Sequence, residues 1–130
     1  HLRSGNSSSI NEMRSVTIIF AQIGGVDVST DDGAKIAQKL MKGMQRACYH
    51  HEGNLNKFMV DDKGVIFLFV FGLPPLMHID DPTRAIAACF EMVDVLKSMN
   101  LVGRFGVTTG RVYCGIVGSD RRREYTVMGD

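Results

Sequence analysis

The sequence predicts an α+β sandwich, an antiparallel sheet covered on one face by two helices. Three observations carry this. Apolar, β-branched runs and helix-period segments alternate in the order β-α-β-β-α-β, the two central runs are joined by a short polar turn, and each helical segment follows its own capping residues. A tight turn makes its two strands antiparallel neighbours, and the order as a whole is the ferredoxin-like one, here with strands added toward the C-terminus.

Residues 16–21, Val-Thr-Ile-Ile-Phe-Ala, are apolar on both faces, as a central strand should be, and Gly24-Gly25 ends the run. Ser29 or Thr30 can cap a first helix with Asp31 and Asp32 in its opening turn. Ile36, Leu40, Met44, Ala47 and Cys48 recur at helical spacing as its apolar stripe, and Gly53 closes it near His50 and His51. Residues 55–60 and 65–71 read as a hairpin around Asp61-Asp62-Lys63-Gly64, where Gly64 can adopt positive φ. Asp81 before Pro82 reads as an N-cap with proline at the first helical position, and Ile86, Cys89, Phe90, Val93 and Leu96 form the stripe of a second helix ending near Met99. Residues 103–109 and 111–117 read as two strands hinged at Gly110, followed by a short strand over 125–128.

With 45% hydrophobic residues, 22% charged residues and a formal net charge of +1 over 130 residues, the chain reads as one domain, residues 14–130, behind a polar, flexible lead-in over residues 1–13. The balance supplies no field for nucleic acid or an anionic membrane, and the one dense basic run, Arg121-Arg122-Arg123, reads as a solvated turn. No apolar stretch reaches the ~20 residues that a membrane helix needs. Cys48, Cys89 and Cys114 are odd in number and lie in apolar segments, which predicts buried thiols in a reducing, cytoplasmic setting. Met41, Met44, Met92 and Met99 fall at helical spacings as core or dimer surface. His50-His51 reads as cationic placement at a helix C-terminus, because neighbours on a helix point in different directions. Residue pattern shows no nucleophilic triad, no zinc spacing and no phosphate loop.

Two segments go further. Gly106-Val107-Thr108-Thr109-Gly110-Arg111-Val112-Tyr113-Cys114-Gly115-Ile116-Val117-Gly118 and Arg123-Glu124-Tyr125-Thr126-Val127-Met128-Gly129-Asp130 resemble the signature of class III nucleotidyl cyclase catalytic domains. Residues 56–72, with Asp-Lys-Gly before a Phe-Leu-Phe-Val-Phe-Gly strand, are similar to the second-type domains of soluble adenylyl cyclases. The resemblance implies two such domains paired head to tail, with ATP at the interface and two metal ions held by two aspartates. Paired ions of this kind stabilise the attacking and the leaving oxygen together.

Carried over by position, the resemblance places Gln22 where the first metal aspartate stands. Asp61 or Asp62 falls near the second, within Val60-Asp61-Asp62-Lys63 in place of a Gly-Asp-Ala pattern; read without a family, both are turn formers. Lys57, otherwise an exposed strand lysine, matches the lysine that reaches adenine. Thr126 matches the position that selects the purine, and Val127 one whose backbone borders the base. The transition-state Asn and Arg of the family fall after Asp130, so no catalytic residue is expected within residues 1–130.

The implied function is the base-recognising half of an adenylyl cyclase that converts ATP to cyclic AMP and diphosphate. Mg²⁺ or Mn²⁺ would be carried mainly by a first-type domain, in the same or another chain, and this half alone would be inactive. The alternative is a non-catalytic regulatory or dimerisation module of the same fold. Self-association as a homodimer is expected through a sheet face around Phe67, Phe69 and Tyr113.

Overall fold

A computed structural model describes the backbone over residues 11–117 and 124–129 and the side chains over residues 14–111. The elements run β1 (Asn11–Gly24), α1 (Asp31–His50), β2 (Asn54–Asp61), β3 (Gly64–Phe71), α2 (Asp81–Ser98), β4 (Gly103–Val117) and β5 (Glu124–Gly129). The strands form one antiparallel sheet in the order β2-β3-β1-β4-β5, so the α+β expectation and the central place of β1 both hold. β1 extends beyond the expected 16–21 at both ends. β4 is continuous where two strands hinged at Gly110 were expected, because residues 110–115 keep pairing with the start of β1.

One face of the sheet carries the core. Ile19, Ala21 and Ile23 of β1 lie beside Val65, Phe67, Phe69 and Phe71 of β3, and Leu40, Met44, Ala47, Cys48, Ala85, Ala88, Met92 and Leu96 close over them from the helices. Phe67 and Phe69 stack with centroids 5.5 Å apart, fully buried against the helices. They are therefore unavailable to the association surface expected of them. Burying each such ring contributes about 2–3 kcal/mol.

The helix stripes differ from expectation in an instructive way. Ile36, Ile86 and Phe90 are 38%, 48% and 70% exposed, while Ala37, Ala85 and Ala88 face inward. The helices approach so closely that a Cβ on Gly43 of α1 would lie 2.7 Å from Val95 Cγ1 of α2, and this contact demands a small residue. Leu40, Met44, Met92 and Leu96 supply the bulk of the inward faces, and Ile36, Ile86 and Phe90 fall outside them. Among the thiols, Cys48 is buried and Cys89 half-buried; Cys114 lies outside the residues with described side chains.

Thr30 caps α1 as expected, its hydroxyl accepting from Gly33 N at 2.9 Å. Both helices end in the same hydrogen-bonded turn. Gly53 N donates to Cys48 O and Glu52 N to Tyr49 O; Leu101 N donates to Leu96 O and Asn100 N to Lys97 O. The left-handed residues are Glu52 (φ 65) and Asn100 (φ 56), so Gly53 is not the conformational stop that the sequence suggested. It is small for another reason, since a Cβ there would sit 2.5 Å from the Phe71 ring. At α2 the N-cap is Asp80, one residue earlier than expected. Asp81 opens the helix, and its buried carboxylate accepts from His78 N at 3.0 Å.

Between the helices, His50 and His51 at the end of α1 both reach Glu91 of α2. Partial desolvation pushes the Glu91 carboxyl up, but hydrogen bonds from His51 and His50 more than offset this and hold it below the usual carboxylate range.

Candidate functional site

The sheet face opposite the helices is covered at one end, where Val16, Val70 and Leu73 are buried, and open around β2, where a single extra residue decides what it presents. Leu55 pairs with Phe69 while Lys57 pairs with Leu68, which leaves Asn56 unpaired as a β-bulge. Without the bulge, Lys57 would share the face of Leu55, which packs on the core. With it, Phe58 turns inward against Phe67, centroids 5.0 Å apart, and Lys57 turns out. Lys57 is exposed and forms no hydrogen bond or ion pair among the described residues. It lies in one cross-strand row with Leu68 and Phe20, and the next row holds Met59, Ile66, Gln22 and Arg104. Phe20 and Met59 are 42% and 47% exposed, giving the lysine an apolar surround that a flat ring could cover.

Gln22 does not stand free. Arg104 Nη2 on β4 donates to Gln22 Oε1 at 3.1 Å. A neutral amide oxygen already bonded to a guanidinium is a poor ligand for a divalent cation, which the adjacent positive charge also repels. Asp61 Oδ1 accepts from Lys63 N and Gly64 N, both at 2.9 Å, and so shapes the hairpin turn. There Gly64 has φ +151, and a Cβ would lie 2.0 Å from Ile23 O. Asp62 is exposed in the same turn. These residues do not fit a divalent metal site, and no chemical step is assigned to a metal held by them.

Thr126 and Val127 lie on β5, paired with Gly115 and Cys114. β2 and β5 are the two edges of the sheet, so its register does not bring Lys57 and the Thr126–Val127 pair together. Arg121 to Arg123 and Asp130 lie outside the described residues. Sequence reasoning missed Arg104 as the partner of Gln22, which only the β1–β4 register reveals, and the meeting of His50 and His51 with Glu91 some 40 residues away.

No family model matches the chain. Individual proteins do. Adenylate cyclase type 10 of Oryctolagus cuniculus is 35% identical over 129 residues, covering 92% of this chain and 8% of the relative, and that of Homo sapiens is 34% identical with the same coverage. The crystal structure of the guanylyl cyclase Cya2 superposes with a TM-score of 0.73 at 30% identity, covering 91% of this chain and 65% of that one. The chain is homologous to these adenylate cyclases over 92% of its length and has the class III nucleotidyl cyclase fold. The adenylyl cyclase CyaB from P. aeruginosa, 21% identical with a TM-score of 0.71, shares the fold over 92% of this chain and 68% of its own. The chain spans only 8% of the length of the curated adenylate cyclases it matches. Among the described residues, no helix is long and apolar enough to cross a membrane.

Proposed function

We propose that this domain is the base-recognising half of an adenylyl cyclase site, converting ATP to cyclic AMP and diphosphate together with a first-type domain. The observation that carries the reading is Gln22 bonded to Arg104 where the family places a metal carboxylate. A half with that pairing contributes nucleotide recognition and leaves Mg²⁺ or Mn²⁺ to its partner, where the ions would activate the ribose hydroxyl and neutralise the triphosphate. Lys57, aimed outward by the Asn56 bulge, donates to the edge of the base, while Phe20 and Met59 supply apolar surface beside it. For Thr126 and Val127 to read the same base, the β4–β5 ribbon must bend across the open face. Gly106 and Gly110 interrupt β4 on the way, and a glycine backbone adapts to such a bend more readily than any other.

Mixing the chain with a first-type cyclase domain, ATP and Mg²⁺ or Mn²⁺ tests the reading. Cyclic AMP should form in the mixture and from neither component alone. No gain with several such partners would favour a regulatory or dimerisation module of the same fold, in which Gln22 marks a metal position given up without a catalytic partner.

A further inference from the structure

Away from the open face, the last turn of α1 meets the middle of α2. His50 Nδ1 lies 2.8 Å and His51 Nε2 lies 2.6 Å from the same oxygen, Glu91 Oε1. All three donor atoms lie within 4.8 Å of one another. Consecutive residues inside a helix could not converge in this way. His50 is the last helical residue, whereas His51 has left the helix at φ −105 and ψ 14, which sets the two rings 4.9 Å apart, tilted by 45°.

We propose that His50, His51 and Glu91 form a three-donor site for a zinc-class divalent transition-metal ion, which would clamp the C-terminus of α1 to α2. Two imidazoles and one carboxylate are the donor set that borderline ions such as Zn²⁺ select, whereas Mg²⁺ and Ca²⁺ demand oxygen. Bonds of about 2.0–2.2 Å hold neighbouring donors roughly 3 Å or a little more apart, so the two contacts to Glu91 need to open slightly and the imidazole nitrogens, within 4.8 Å of each other, to draw together around an ion. Each imidazole then presents as a lone pair the nitrogen now bonded to Glu91 and keeps its proton on the other ring nitrogen. The partial negative charge at the end of α1 adds attraction for a cation. His51 is 21% exposed and Glu91 38%, while His50 at 69% leaves one side open for entry and for water as a further ligand. The neighbouring cluster of His78 and Glu52 is no rival, because Arg84 already supplies a cation 4.0 Å from Glu52.

The test uses the whole chain with Zn²⁺ alone as the probe. Titration calorimetry should show one equivalent bound with micromolar or tighter affinity, weakened at least tenfold in His51→Ala and in Glu91→Gln and unchanged in His78→Ala. An unmutated readout guards against misfolded variants: Zn²⁺ should protect His50 and His51, and not His78, from diethyl pyrocarbonate, and Mg²⁺ at the same concentration should protect none. Absence of binding, full affinity retained in His51→Ala, or equal protection of all three histidines would overturn the site.

Discussion

Arg104 donates a hydrogen bond to the side-chain oxygen of Gln22 across the β1–β4 register, at 3.1 Å. A carboxylate introduced at position 22 would therefore meet a guanidinium before it met a metal ion. Gln22→Asp alone should leave the chain without metal-dependent cyclase activity and shift its stability by no more than about 1 kcal/mol, the worth of an exposed ion pair. Cyclic AMP assays with Mg²⁺ and Mn²⁺ check this, and robust turnover by the single variant would show that Arg104 does not control the position.

In a pair reconstituted with a first-type domain, Lys57→Ala should cost about 1–3 kcal/mol in kcat/KM for ATP, one polar contact left unmade, and should narrow the preference for ATP over GTP. Unchanged turnover together with an unchanged ratio would make Lys57 an ordinary surface lysine. Deleting Asn56 should not reproduce that loss, since Lys57 would then follow Leu55 directly and still face outward opposite Leu68.

Whether Thr126 shares the base with Lys57 can be read from coupling. If the β4–β5 ribbon folds over the open face, the losses in Lys57→Ala and Thr126→Val should be non-additive by at least about 0.5 kcal/mol. Strict additivity would leave the two residues at opposite edges, as the sheet order has them.

The close helix contact predicts a stability effect. Gly43→Val should destabilise by about 1–3 kcal/mol through overpacking against Val95, and adding Val95→Ala should recover part of that loss. Urea unfolding of the single and double variants measures it, and equal midpoints for Gly43→Val and the parent would mean that the helices separate freely.

Cys48 should be silent to thiol reagents in the folded protein near neutral pH, because desolvation by burial pushes its pKa from 9.0 up to about 12. A raised folded-state value means that the stability linked to this thiol is complete below pH 9 and is lost as pH rises toward 12. Cys48→Ala should flatten that alkaline decline in denaturant midpoints.

The element order, the Thr30 cap and the hairpin at Asp61 to Gly64 were legible because each rests on local chemistry within a few residues. The inward faces of the helices were less so. Ile86 and Phe90 are exposed while Ala85 and Ala88 are buried in line with Met92 and Leu96, a rotation of the inward stripe that periodicity alone does not fix. The outward turn of Lys57 depends on one unpaired residue, and the convergence of His50, His51 and Glu91 depends on how α1 and α2 dock. Neither leaves a signal in sequence spacing.

The proposed division of labour puts recognition in this domain and metal in its partner. Two variants compared side by side in the reconstituted pair test it most directly: Gln22→Ala here, and loss of a metal-binding carboxylate in the first-type partner. Cyclic AMP formation should persist within about tenfold in the first and vanish in the second, a fall of several kcal/mol in transition-state stabilisation. Loss of activity in Gln22→Ala as complete as in the partner's variant would mean that position 22 itself serves the metal site.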